Sequence, residues 1–133
     1  MRYFKLFCFL FLTAAIACAF AYKSNSVKQE GGMTVEDYNR KTANTEKIVL
    51  AYFHADWCVP CVKLKPTIAQ LETEEKEKVE ILSIDVDNHP KIALHFEINT
   101  LPLFIIYKNG KKVWENNTSL SKADIKKKLD LYK

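Results

Sequence analysis

The chain has 133 residues, of which 48% are hydrophobic, and its formal net charge is +4. This length and apolar content suit one globular domain with a single core. The charge balance gives no indication of a nucleic-acid partner.

The first 21 residues are typical of a secretory signal. Arg2 and Lys5 form a positive start, residues 6–16 are apolar, and Ala19-Phe20-Ala21 is a small-residue cleavage site. The uncharged stretch falls short of the roughly 20 residues that a spanning helix prefers. We therefore expect cleavage after Ala21 and export, with a bacterial periplasm as the favoured location.

Two other locations stay open. Ala15-Ile16-Ala17-Cys18 also fits a bacterial lipoprotein signal, in which Cys18 is lipidated and becomes the mature N-terminus. A membrane is expected as a partner only in that case, or if the signal is retained. Asn116-Asn117-Thr118-Ser119 holds two overlapping glycosylation sequons, which matter only in a eukaryotic secretory lumen.

Cleavage would leave a domain with one pair of cysteines. Residues 22–32 are polar and end in Gly31-Gly32, which predicts a flexible lead before a domain over residues 33–133. The mature chain keeps only Cys58 and Cys61. A bridge between them would close too short a loop to constrain much unfolded chain, so the pair indicates a redox couple rather than a structural disulfide.

Secondary structure is predicted to alternate between helices and strands. Thr34-x-x-Asp37 is a capping-box pattern that predicts a helix to about Ala43. An apolar run predicts a buried strand over 48–54. A helix from near Cys58 to Lys78 should bend at Pro66, whose ring removes a backbone hydrogen bond.

The second half of the chain continues this alternation. Asn109-Gly110 predicts a two-residue hairpin, because both positions tolerate positive φ. Ser121-x-x-Asp124 predicts the cap of a last helix. The predicted elements are a strand over 79–86, a helix over 90–96, strands over 103–107 and 112–116, and a helix from 121 to about 132.

The cysteine pair predicts reversible dithiol chemistry. A strand that ends at Cys58 and turns into a helix places this residue at a helix N-terminus, where free N–H groups and the macrodipole stabilise a thiolate. Cys58 would attack a disulfide, and Cys61, one turn deeper and less exposed, would resolve the mixed disulfide. Pro60 removes one backbone donor near the Cys58 sulfur, so its thiolate should be less stabilised.

Four segments, by their order and spacing from about residue 33 onward, resemble the thioredoxin family. They are Ala55-Asp56-Trp57-Cys58-Val59-Pro60-Cys61 followed by Pro66, Ile84-Asp85-Val86-Asp87, Leu101-Pro102-Leu103, and Tyr107-Lys108-Asn109-Gly110-Lys111. The resemblance implies an α/β thioredoxin fold with three α/β/α layers, a central mixed sheet of four to five strands, and the order α-β-α-β-α-β-β-α. It also implies a cofactor-free oxidoreductase with a redox-active disulfide, which serves electron transport and cell redox homeostasis. We expect a monomer that acts on protein disulfides and dithiols.

The resemblance also implies roles for the residues around the disulfide. Val59-Pro60 is similar to the dipeptide of TlpA-type periplasmic thioredoxins, and the segment from Ala55 to Val59 to the C-terminal domain of the transmembrane thiol carrier DsbD. Both similarities, and a proline before the second cysteine, point to an exported reductant fed by a membrane thiol carrier. The neighbours Asp56, Trp57, Val59 and Pro60 should surround the thiol, with Trp57 partly exposed and shielding it from solvent.

A second segment is implied to bind substrate. By the same resemblance, Pro102 should be cis and lie against the Cys58 sulfur, since only X-Pro bonds adopt cis cheaply. The backbone of Leu101 should pair with an extended substrate like an added strand.

The chain departs from the family pattern behind the disulfide. Reducing cytosolic members have a buried aspartate where this chain has Tyr52, and a lysine opposite it where this chain has Ser83. The proton of Cys61 would then pass to water or to a group such as Asp56. His54 could also help, although a histidine at the end of a strand is more often packed or solvated. Thr118 replaces a glycine of the family, which should alter substrate docking on that side.

Two other functions stay open. An exported dithiol oxidase or isomerase is the closest alternative, because disulfides are made in such compartments. A non-catalytic thioredoxin-like binding module is the second. We expect no metal, because one Cys-x-x-Cys supplies two of the four ligands of a structural zinc site and His54, His89 and His95 lack ligand spacing.

Overall fold

The computed structural model describes residues 32–43 and 46–133. The predicted signal over 1–21, Cys18 and nearly all of the predicted lead lie outside the described residues. Within the described ranges, four helices and four strands follow one another in the predicted order: α1 Val35–Thr42, β1 Ile48–His54, α2 Val59–Glu75, β2 Val79–Asp85, α3 Pro90–His95, β3 Leu103–Lys108, β4 Lys111–Asn116 and α4 Lys122–Asp130.

The strands form a mixed sheet in the order β2-β1-β3-β4. Strand β1 is parallel to β2 and antiparallel to β3, which is antiparallel to β4. The described residues therefore show a four-stranded sheet, within the predicted range of four to five. The carboxyl end of β1, which leads to the cysteines, lies in the middle of this sheet.

Helices cover both faces of the sheet. On one face, Leu50 and Tyr52 of β1 belong to a core cluster that includes buried residues of α2 and α4. On the other face, Val49 and Phe53 pack in a cluster with residues of α1 and α3. Burial on both faces explains why β1 is a continuous apolar run. The predicted three-layer fold is confirmed.

Local capping and turn signals act as predicted. Thr34 and Asp37 form a reciprocal capping box at the start of α1. The Ser121 side chain accepts a hydrogen bond from Asp124 N–H at 3.2 Å at the start of α4. In the β3–β4 hairpin, Asn109 and Gly110 have φ of 51° and 74°.

Two helices end two or more residues earlier than predicted. Helix α2 continues through Pro66 but ends at Glu75, not Lys78. Lys78 N–H bonds the Glu75 carbonyl at 2.9 Å, and the Lys78 carbonyl accepts from Ile48 N–H at 3.0 Å, so the chain turns here to enter the sheet. Helix α4 ends at Asp130, since Tyr132 N–H bonds the Leu129 carbonyl three residues back.

Candidate active site

Cys58 is the N-cap of α2, where the sequence places it. Its backbone N–H bonds the Ala55 carbonyl at 3.2 Å in the turn that leaves β1. Cys58 and Cys61 form a disulfide with their Cα atoms 5.2 Å apart. The Cys61 N–H donates to Cys58 Sγ at 3.3 Å, which satisfies one free N–H of the first helical turn. The same donor is available to a Cys58 thiolate.

Both cysteines are buried. Cys61 is fully buried, as expected for the deeper residue, but Cys58 is itself only 5% exposed. Cys61 is thus the less exposed of the two, as expected, but the burial of Cys58 was not predicted. Both residues belong to the core cluster between the sheet and α2, and Leu101 packs against that cluster. A substrate disulfide must therefore react with a cysteine that exposes little of its surface.

Three exposed apolar residues, Trp57, Val59 and Val62, adjoin the two cysteines in the chain, and we call them the apolar rim. Trp57 is 67% exposed, and Val59 and Val62 are also exposed. The Trp57 Nε1–H donates to Asp87 Oδ2 at 3.0 Å, which holds the indole in one orientation. We did not predict this role of Asp87. The position of Asp87 just after β2 could have indicated this contact. The carboxyl ends of the parallel strands β1 and β2 lie at the same edge of the sheet, so residues that follow them can meet.

Asp56 lies in solvent beside α2. Its Oδ1 is 2.7 Å from Lys65 Nζ, and both side chains are largely exposed. The hydrogen bond from Lys65 lowers the pKa of the Asp56 carboxyl. A carboxylate with a lowered pKa is a weak base near neutral pH. Asp56 is thus a poor acceptor for the Cys61 proton.

Tyr52 contacts the backbone of the resolving cysteine. Its hydroxyl donates to the Cys61 carbonyl at 3.2 Å, and its ring stacks on Phe104 with centroids 5.0 Å apart. Burial raises the pKa of Tyr52 to about 12. The hydroxyl therefore stays protonated at neutral pH and acts as a donor.

His54 lies next to Tyr52 on the same face of β1. The two rings stack with centroids 5.2 Å apart, and His54 Nε2 is 3.0 Å from Ser83 Oγ on β2. The His54 Nδ1 is buried and has no hydrogen-bond partner in the described part of the chain. The pKa of His54 is lowered, mainly because burial disfavours the imidazolium.

The Leu101-Pro102 peptide bond is cis, as predicted. Pro102 is buried, and the half-buried Leu101 packs against the cluster that contains both cysteines. Their role in substrate binding stays a prediction.

The described residues contain neither a metal-binding cluster nor a helix that could cross a membrane. Within residues 32–43 and 46–133, no group of three or more His, Cys, Asp or Glu side chains could hold a metal ion. Across these same ranges, each helix is too short or too polar to cross a membrane.

Comparison with known proteins identifies the family. The Thioredoxin family model matches residues 31–131. A thioredoxin of Chlorobaculum thiosulfatiphilum is 36% identical over 97 residues, which cover 73% of this chain and 90% of that relative. The mitochondrial thioredoxin of Bos taurus is 34% identical over 77 residues, 58% of this chain and 46% of the relative. The X-ray structure of Fasciola hepatica thioredoxin aligns with a TM-score of 0.68 at 25% identity, covering 76% of this chain and 96% of that one. With its Cys58–Cys61 disulfide at the head of α2, the chain belongs to the thioredoxin family and is a thiol:disulfide oxidoreductase.

Proposed function

We propose that this protein is an exported reductant of protein disulfides, with Cys58 as nucleophile and Cys61 as resolving thiol. The observation that carries the proposal is the place of the disulfide, with Cys58 at the N-cap of α2 and Cys61 buried one turn below. Cys58 thiolate attacks a substrate sulfur and forms a mixed disulfide. Cys61 then attacks Cys58, and the substrate leaves as a reduced thiol.

Pro60 supports the reducing direction. The Cys58 sulfur accepts the Cys61 N–H at 3.3 Å, but Pro60, in the same first turn, has no N–H to donate. A weakly stabilised thiolate favours the oxidised protein and makes the dithiol a better reductant. The opposite case is DsbA, whose stabilised reduced form makes it a strong oxidant.

The apolar rim of Trp57, Val59 and Val62 supports protein substrates. These exposed side chains belong to residues next to Cys58 and Cys61 in the chain, so they can contact the chain on either side of a substrate disulfide. The backbone of Leu101 would pair with that chain as an added strand. We propose that the protein acts as a monomer and accepts electrons from a membrane thiol carrier.

The direction of exchange is tested by the reduction potential of the Cys58–Cys61 couple. Residues 22–133 are equilibrated with thiol buffers, and alkylated cysteines are counted by mass. We expect a value near about −270 mV, that of thioredoxin, which suits a reductant. A value near about −120 mV, that of DsbA, would contradict the proposal and favour the alternative function of a dithiol oxidase.

Export is tested by the N-terminus of the mature protein. The full chain is expressed in a Gram-negative host, and the periplasmic fraction is examined by intact mass. We expect a chain that starts at Tyr22. Incorporation of labelled fatty acid that is lost in Cys18→Ser would show a lipid anchor instead. An uncleaved chain in the cytoplasm would contradict export.

A further inference from the structure

Tyr52 connects His54 to the resolving cysteine. The resolving thiol must lose a proton before it can attack Cys58. Tyr52, which bonds the Cys61 carbonyl, has a pKa raised to about 12 and stays protonated. Asp56 is exposed and paired with Lys65. His54 is the imidazole stacked directly on Tyr52.

His54 has a free ring nitrogen. Its Nε2 is 3.0 Å from the Ser83 hydroxyl, which can accept the Nε2 proton. In that tautomer Nδ1 carries a lone pair, and it is buried without a hydrogen-bond partner among the described residues. Buried polar atoms in native proteins are nearly always bonded, so one without a partner calls for an explanation. A site that accepts a proton during the reaction is such an explanation.

The charges that face His54 oppose one another. Asp85 at the end of β2 and Asp56 before α2 favour the imidazolium, whereas Lys65 on α2 and His89 before α3 disfavour it. Burial is the largest influence and lowers the pKa of His54. The ring is therefore neutral at neutral pH and able to accept a proton.

We propose that His54 is the proton acceptor for Cys61 when the mixed disulfide is resolved. The Cys61 thiol gives its proton to the unpartnered Nδ1, and the Cys61 sulfur attacks Cys58 Sγ. The bond between Cys58 and the substrate sulfur breaks, and the substrate leaves with the bonding electron pair. The imidazolium returns the proton to this thiolate, so the ring ends neutral. A general base acts directly or across one water, and in the opposite direction of net exchange the same step runs in reverse, with Cys61 as the leaving group that receives the proton.

The test isolates the resolving step. Reduced protein is mixed with a stoichiometric amount of dithio-bis-nitrobenzoate, whose coloured thiolate is released once when Cys58 attacks and again when Cys61 resolves. Cys61→Ser should show only the first release of coloured thiolate. The release that is missing in this variant is therefore the resolving step. The second rate is measured against pH, and the titration midpoint of His54 is determined by NMR in the wild-type protein.

The pH dependence of the resolving rate in the wild-type protein tests the proposal even if a variant fails to fold. We expect the resolving rate to rise to a plateau with an inflection at the NMR midpoint of His54. In His54→Gln that inflection should disappear, and the rate near neutral pH should fall by about tenfold or more. The control is His95→Gln, at an exposed position of α3, and it should retain both the inflection and the wild-type rate. A wild-type profile without an inflection at the His54 midpoint, or an unchanged profile in His54→Gln, would overturn the proposal.

Discussion

Tyr52 links the central strand to the active-site helix by a single hydroxyl. The hydroxyl bonds the Cys61 carbonyl in a buried position. We expect Tyr52→Phe to lower the free energy of unfolding by about 1 kcal/mol, the usual net value of such a bond. The measurement is urea unfolding of the oxidised protein.

Tyr132→Phe is the matched control for this substitution. Its hydroxyl also donates to a backbone carbonyl, that of Val113, at 3.2 Å, but the bond is exposed. Water replaces an exposed partner, so we expect a loss of about 0.5 kcal/mol or less. Equal losses in the two variants would contradict the importance of the Tyr52 bond.

The two cysteines should differ in what they trap. Because Cys58 attacks first, Cys61→Ser should stop at the mixed disulfide and accumulate a covalent complex with a disulfide substrate such as insulin. Cys58→Ser should form little or none, since Cys61 is fully buried. Non-reducing gels with and without thiol check the result. Equal trapping, or wild-type turnover by both variants, would contradict the assigned roles and favour a non-catalytic binding module.

At the scale of elements, a buried carboxylate joins α2 to α4 and the C-terminus. Glu75, the last residue of α2, is 7% exposed and is paired with Lys126 and Lys133, the latter at 2.6 Å. These hydrogen bonds lower the pKa of the Glu75 carboxyl despite its burial. The ionised form is thus stabilised in the folded state, and its contribution is present above the ordinary pKa of glutamate and lost as the pH falls below it.

We expect Glu75→Gln to lower the free energy of unfolding by about 2 kcal/mol near neutral pH, and by less in acid. Glu74→Gln is the control, because Glu74 pairs with Lys122 at 2.5 Å but is 47% exposed. An exposed pair of this kind contributes about 1 kcal/mol or less. Denaturant unfolding at neutral and acidic pH checks both variants, and a Glu75→Gln loss that did not shrink in acid would contradict the assignment.

The elements also show how far sequence patterns reach. Caps and the hairpin were predicted correctly because each depends on residues within one turn, as at Thr34 and Asp37 or at Asn109 and Gly110. The end of α2 was not predicted correctly, because it depends on a hydrogen bond between Lys78 and Ile48, which are 30 residues apart in the chain.

At the scale of the whole molecule, buried tyrosines should make stability sensitive to alkali. Tyr38 and Tyr107 bond each other through their hydroxyls at 2.9 Å, and burial raises the pKa of both. Burial also raises the pKa of Tyr52 to about 12. A raised pKa means that the folded state favours the neutral phenol. This stability is present below the ordinary tyrosine pKa of about 10 and is lost as the pH rises beyond it.

We therefore expect the free energy of unfolding to be steady up to about pH 10 and to fall above it. Tyr38→Phe should show a shallower fall, because one titrating group has been removed. Urea unfolding across this range measures both. A wild-type profile that stayed flat well above the ordinary tyrosine pKa would contradict the prediction.

The amino-acid sequence by itself determined the order of the helices and strands, the N-cap position of Cys58 and its pairing with Cys61, because these follow from apolar periodicity and from contacts within one helical turn. The layered fold was implied by the resemblance of four segments to the thioredoxin family. Only the tertiary structure decided what surrounds the pair. The bonds from Tyr52 to Cys61, from His54 to Ser83 and from Trp57 to Asp87 join different elements. Their formation depends on strand register and on how α2 packs on the sheet, so spacing along the chain cannot reveal which side chains meet.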